Sequence, residues 1–253
     1  MSGFRIIPSL LLKNKGLVKG INFNDYTYVG DPINTVRIFN DKEVDELFFF
    51  DITATQENRR IPFELVEKLA NECYMPFAVG GGIKTIKEIK ELIKLGVEKV
   101  TINTYAVEKP VFIKQASQIF GSQAIVVSID TKECDNGTYS VVTNSGKKYT
   151  DIDVLDHART MEEMGAGELI INSIDRDGTK SGYDLKLVKI IADAVKIPVI
   201  ASGGAGVFKH FSEVCYNANA SAGTAGSFFV FHGKLSGVLI SYPSKILINE
   251  EFS

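Results

Sequence analysis

Asp130 has the setting in this 253-residue chain that points most directly to acid–base chemistry. It follows Gln123 to Ile129, a mostly apolar run, so its carboxyl would sit at the end of a buried strand. A carboxylate there holds or releases a proton at a pH set by its burial and neighbours. The plainer alternative is a loop carboxylate that caps a backbone amide. Two glycine clusters stand around it, PFAVGGGI from Pro76 to Ile83 and PVIASGGAG from Pro198 to Gly206, with starting prolines 122 positions apart. Each is a proline, a short apolar run and glycines that open a helix, a pattern whose backbone N–H groups can hold a phosphate. They could equally be tight strand-to-helix turns without a ligand. Gly82 and Gly204 lie in these clusters. Asn103 and Thr104 offer side-chain donors beside the first. Asp177-Gly178 and Gly226-Ser227 do the same for the second, although Asp177 would meet a phosphate only through an amide or a water, or would instead order its loop. Lys19, in a polar stretch read as a mobile loop, could reach across a bound anion or stand free in solvent.

A second group is charged on both signs. Arg5, Glu46, Lys99 and Glu168 each fall at the start of a predicted strand. Around one axis they would form a ring of salt bridges at the end of a barrel opposite the glycines. Such a ring is either a structural plug or a gate that opens for a small polar molecule. Buried ion pairs barely break even against apolar packing, so the ring by itself is weak evidence for stability.

The elements that must position these residues alternate. Strands are predicted over Phe4 to Leu12, Glu46 to Ile52, Pro76 to Gly80, Lys99 to Asn103, Gln123 to Ile129, Glu168 to Asn172, Pro198 to Ser202 and Ala220 to Ala225. Helices are predicted from Pro32 to about Val44, Pro62 to Cys73, Thr85 to Leu95, near Pro110 onward, Asp153 to Met164, Tyr183 to Val195 and Phe208 to Asn217. Lys13 to Asp31 reads as a long polar loop. Between Thr131 and Asp151, Asn136-Gly137 signals a hairpin turn and Thr138 to Thr143 alternates like an exposed strand. Lys234 to Asn249 is apolar-rich, but Pro243 argues against a long regular final helix. Eight strand-helix alternations predict a single (β/α)₈ barrel spanning residues 1–253, with a β-hairpin inserted after the fifth strand. Glu46-Leu47 and Glu168-Leu169 are 122 positions apart, and Ser9 to Lys13 matches Ser128 to Lys132 at 119, which predicts a duplicated half-barrel. In that alignment Leu11 answers Asp130, and leucine transfers no proton.

Composition narrows the classes further. A net charge of −3 gives no electrostatic reason to expect nucleic acid or an anionic membrane. Three scattered cysteines with no CxxC pair argue against a disulfide framework or a zinc site and fit a cytoplasmic setting. No run approaches a membrane span.

Several stretches together resemble the cyclase subunit of imidazole glycerol phosphate synthase: RIIPSLLLK, GLVKGINF, DELFFFDIT, PFAVGGGI, KVTINT, FGSQAIVVSID, SIDRDGTKSGYD and IPVIASGGAG. The similarity runs over roughly positions 4 to 232. It implies a duplicated (β/α)₈ barrel that receives ammonia from a glutaminase subunit docked at the barrel bottom and uses it at the top. Arg5, Glu46, Lys99 and Glu168 then become an ammonia gate rather than a plug, and Glu98 an acid at the glutaminase contact. Gly82, Asn103 and Thr104 match one phosphate site; Asp177, Gly178, Gly204, Gly226 and Ser227 match the other. Lys19 matches the mobile-loop lysine and Asp130 one of two catalytic aspartates. No cofactor or metal is implied. The departure is Leu11 in place of the second aspartate, with Ser9 for a cysteine. The tail GSFFVFHGKLSGVLISYP resembles cyclase-like paralogues associated with surface-polysaccharide or flagellin-glycan genes. The resulting expectation is an ammonia-channelling subunit of a heterodimer serving amidation of a sugar precursor. Its rivals are the histidine-pathway cyclase and a non-catalytic phosphate-binding barrel.

Overall fold

The computed structural model describes residues 3–233 and 235–252. The chain opens with β1 (Arg5–Lys13), which runs into an antiparallel hairpin of β2 (Gly16–Ile21) and β3 (Asn24–Gly30). Then come α1 (Pro32–Asp41), β4 (Leu47–Asp51), α2 (Phe63–Glu72), β5 (Phe77–Gly80), α3 (Ile86–Lys94) and β6 (Lys99–Ile102). A short α4 (Thr104–Glu108) and α5 (Val111–Phe120) lead to β7 (Ile125–Glu133), whose far end pairs with β8 (Tyr139–Thr143), and β8 with β9 (Lys148–Asp153). The second half continues through α6 (Val154–Glu163), β10 (Glu168–Ser173), α7 (Leu185–Ala192), β11 (Val199–Ser202), α8 (Lys209–Ala218) and β12 (Ala222–Ala225). The chain finishes with α9 (Ser227–Val230), the paired β13 (Phe231–His232) and β14 (Gly237–Val238), and α10 (Lys245–Phe252).

β1, β4, β5, β6, β7, β10, β11 and β12 pair in that order, every neighbour parallel, and β12 pairs back onto β1. This is a closed (β/α)₈ barrel. Strand side chains alternate in and out, and the buried residues divide accordingly. Ile6, Phe49, Val79, Val127 and Ile171 belong to the layer between strands and helices. Ile7, Phe48, Val126, Ile170, Ile200 and Ala222 form a separate apolar cluster inside the barrel. The helices start where local chemistry allows. Thr85 and Glu88 form a reciprocal capping box on α3, and Asp31 caps α1 through the Asn34 N–H at 2.9 Å with Pro32 in the first turn.

The strand register carries the internal repeat. Leu11 of β1 lies opposite Phe50 of β4, and Asp130 of β7 lies opposite Asn172 of β10. Moving the first pair by the same 119 and 122 positions gives the second, so Leu11 and Asp130 occupy equivalent places.

Three expectations need correction. Lys13 to Asp31 is not a loop. Its lysines, asparagines and Asp25 give it loop composition, but Leu17, Val18 and Val29 are buried. Asn22 and Phe23, at φ 49° and 61°, are the two central residues of a tight hairpin turn. The inserted strand is not exposed either: Tyr139, Val141, Val142 and Thr143 are buried, because α6 packs against β8 and Tyr139 donates to Asp184. A short helix, α4, also precedes the one expected near Pro110. In the tail, Lys234 lies outside the described residues. The rest follows the proline: α10 begins two residues after Pro243 and is only eight residues long. It packs between the end of α1 and α8, with Phe252 stacked on Phe4 at 4.7 Å, Lys245 paired with Glu43 and the Tyr216 hydroxyl donating to the Glu251 carbonyl. Among the described residues, no helix is long and apolar enough to cross a membrane.

Phe49 is fully buried between barrel and helices. Phe49→Ala should cost about 3–5 kcal/mol. At about 2–4 °C per kcal/mol for a chain of this size, the melting temperature should fall by about 6–20 °C, measurable by calorimetry.

Candidate active site

The C-terminal ends of the barrel strands enclose one cavity. Asp130, Lys19, Gly82, Asn103 and Thr104 line it, together with Asp177, Gly178, Gly204, Gly226 and Ser227. The structure therefore brings together every top-face residue singled out in the sequence.

Asp130 is buried, and the Asn172 side chain donates to its Oδ1 at 3.1 Å. Burial pushes its carboxyl up to about 6; hydrogen bonds from Asn172 and Asn103 oppose the rise and the nearby Asp177 adds to it. A carboxyl with that value both accepts and returns a proton near neutral pH. Leu11, the equivalent residue in the first half, lines the same cavity without any polar group. A second carboxylate missed in the sequence, Asp51 at the end of β4, does not replace it. Asp51 Oδ1 accepts from the backbone N–H groups of Thr53 and Ala54 at 3.1 Å, and its carboxylate is paired with the Arg59 guanidinium. Those bonds commit Asp51 to holding the 53–60 loop. Its place at a strand end, like that of Asp130, was the available signal.

Lys19 departs from its expected place. It sits on β2, not in a mobile loop, and is 4% exposed. Its ammonium donates to the Ser9 carbonyl, and burial lowers it to about 8, partly offset by Asp177. The backbone makes room for it at Gly226, where a Cβ would collide with Lys19 Nζ. The hairpin is fastened to the second cradle. Asn22 N–H donates to the Asp177 carbonyl at 2.9 Å, and a Cβ on Gly178, φ 71°, would strike the Gly20 carbonyl. Burial raises the Asp177 carboxyl to about 6, with Lys19 and the Phe23 N–H acting against the rise. In the first cradle, Gly82 at φ 67° leaves no space for a side chain against the Arg59 carbonyl. Thr104 Oγ1 accepts from Asn144 N–H at 2.9 Å, which ties the tip of the β8–β9 hairpin to the rim and leaves the hydroxyl hydrogen available.

At the opposite end, Arg5, Glu46, Lys99 and Glu168 close into a ring. Arg5 reaches Glu46 at 2.6 Å and Glu168 at 2.9 Å; Lys99 reaches the same two acids at 2.8 and 3.1 Å. Each cation bridges both anions, so the four charges satisfy one another, with Glu46 the most deeply buried of them. Burial nevertheless raises the Glu46 carboxyl, against the pull of Lys99 and Arg5. Glu98 is exposed next to the ring. Above the ring lies the apolar interior, with Phe48 and Phe50 5.6 Å apart, and then the cavity floor. There Thr101 Oγ1 and Asn172 Oδ1 are buried without a hydrogen-bond partner among the described residues. The sequence reading missed Thr101, Asn172 and Tyr26 of β3, all of which line the cavity. Only Asn172 had a signal, its place at the end of the predicted strand Glu168 to Asn172.

Comparison with known proteins agrees with this architecture. The family model described as "Histidine biosynthesis protein" matches residues 5–236. A Pseudomonas aeruginosa protein named "Putative imidazole glycerol phosphate synthase subunit hisF2" is 48% identical over 239 residues, 94% of this chain and 95% of that protein. The "Imidazole glycerol phosphate synthase subunit HisF" of Hydrogenobaculum sp. is 45% identical over 227 residues, 90% of each chain. The protein of the same name from Alkaliphilus metalliredigens is 44% identical over 228 residues, again 90% of each. A closed barrel with a salt-bridged base and a glycine-rimmed chamber, matched over nearly its whole length, thus belongs to the histidine biosynthesis protein family of HisF-type synthase subunits.

Proposed function

We propose that this chain is the synthase barrel of a glutamine-dependent pair: a glutaminase docks at the ring end beside Glu98, and ammonia released there crosses the barrel to the Asp130 chamber. One observation carries the reading. A ring of four mutually paired charges and a chamber holding the buried Asp130 carboxyl lie on the same barrel axis, separated by an apolar layer. Neutral ammonia can cross such a layer, whereas ammonium would face the desolvation cost of a charge. The unpartnered Thr101 and Asn172 oxygens offer it acceptors on arrival. The two glycine cradles, with Asn103, Thr104, Ser227 and Lys19, suit a ligand with a phosphate at each end. The names of the relatives carry the product, imidazole glycerol phosphate; in this reading the acceptor is the phosphoribulosyl-formimino ribonucleotide that the family resemblance implies. In this chain ring closure would fall to Asp130 alone.

A second reading rests on Leu11. Without the opposing acid, the barrel would deliver ammonia to another acceptor, an acetamidino-sugar precursor of a surface glycan. Reconstitution with glutaminase, glutamine and the ribonucleotide separates the two. The histidine reading expects product from the native chain and at least a tenfold gain from Leu11→Asp. Product from Leu11→Asp alone would overturn it in favour of the second reading.

Asp130 also makes a linked prediction for stability. Its pKa is raised on folding from 3.8 to about 6. Well below pH 3.8 the carboxyl is neutral in both states; as pH rises through 3.8 to about 6 the unfolded chain ionises first and stability falls. Above that the cost is complete, on the order of 3 kcal/mol. Asp130→Asn should therefore stabilise the protein by about 1–3 kcal/mol at pH 7.5, with the gain gone below about pH 3. The same substitution should lower turnover by about 10²–10⁴-fold. Urea unfolding at both pH values and steady-state kinetics check the pair.

A further inference from the structure

Tyr26 lines the chamber, and its phenol, near enough to feel the Asp177 and Asp130 carboxyls, has no hydrogen-bond partner among the described residues. The ring itself is held. It packs against Gly20, where a Cβ would come within 2.9 Å of its Cδ1 and Cε1, and Lys13 Nζ lies 4.4 Å from the ring centroid. The strand it occupies, β3, belongs to the hairpin that continues β1 beyond Leu11. Some of the cavity's stronger donors are already engaged, while the Thr104 and Thr101 hydroxyls belong to the first cradle and the floor. The Lys19 ammonium is bonded to the Ser9 carbonyl, and the Asn172 and Asn103 side chains serve Asp130. Burial, then Asp177 and Asp130, push the phenol up to about 12. It therefore stays protonated across the range in which Asp130 and Lys19 titrate, and it can donate throughout.

We propose that Tyr26 is a catalytic residue of this chamber, its hydroxyl donating a hydrogen bond to an oxygen of the bound ligand on the side where Leu11 supplies no polar group. The inference rests on the synthase reading, because a donor of this kind changes a rate only where bonds are made. When ammonia adds to a carbonyl carbon, the C=O π pair moves to oxygen and negative charge develops there. A fixed donor at that oxygen stabilises the transition state more than the ground state. The role needs no net proton transfer from the phenol.

The test uses the barrel with its glutaminase, glutamine and the ribonucleotide, and compares Tyr26→Phe with Tyr26→Leu. Phenylalanine keeps the packing against Gly20 and the contact with Lys13 while removing only the hydroxyl. The expected result for Tyr26→Phe is a kcat lower by about 10²-fold, with ligand affinity by calorimetry unchanged within about threefold; Tyr26→Leu should be no slower than the phenylalanine variant. A structural role gives the opposite pattern: phenylalanine like the native chain and leucine impaired. Native turnover with Tyr26→Phe within about threefold, or a loss confined to affinity, overturns the assignment and leaves the synthase reading standing. No product from the native chain overturns the synthase reading and this assignment with it.

Discussion

A β-strand turns only every second side chain toward the barrel axis, and this constraint sets every functional relation in the molecule. On β1 the inward series is Arg5, Ile7, Ser9 and Leu11; on β7 it includes Val126, Ser128 and Asp130. A slip of one residue in either strand would exchange core and interior throughout. The salt-bridged ring, the apolar waist and the chamber are therefore consequences of one register. Closure fixes that register: β12 pairs with β1 from Arg5↔Ala222 onward, so no edge is left to slide.

Charge is managed differently at the two ends. The ring keeps four charges by letting each cation serve two anions. The chamber accepts strain instead, since Asp130 and Asp177 are both pushed up to about 6 and Lys19 is drawn down to about 8. Groups displaced toward neutrality in a cavity are costly to fold and useful for proton transfer. The Asp51–Arg59 pair marks the contrast. That carboxylate is fully bonded, and it anchors a loop.

The barrel was legible from the sequence because its strands are short apolar runs, two of them bounded by proline and glycine, that alternate with helical stretches. The duplication was legible because Glu46-Leu47 and Glu168-Leu169 repeat at a fixed spacing. The β2–β3 hairpin was not, because its buried residues, Leu17, Val18 and Val29, are scattered among lysines and asparagines. That error carried Lys19 with it, from a buried strand into a loop. The insertion after β7 was placed correctly, but its burial depends on α6, which lies later in the chain. Tyr26 and Thr101 had no signal of their own, since a hydroxyl becomes informative only when its partners, or their absence, are known.

The central claim is that nitrogen passes through the barrel, from the ring to the Asp130 chamber. Glutamine labelled with ¹⁵N at its amide, supplied to the glutaminase–barrel pair with excess unlabelled ammonium, tests it most directly. The structure predicts product carrying predominantly ¹⁵N. Product whose label matches the bulk ammonium pool would contradict it.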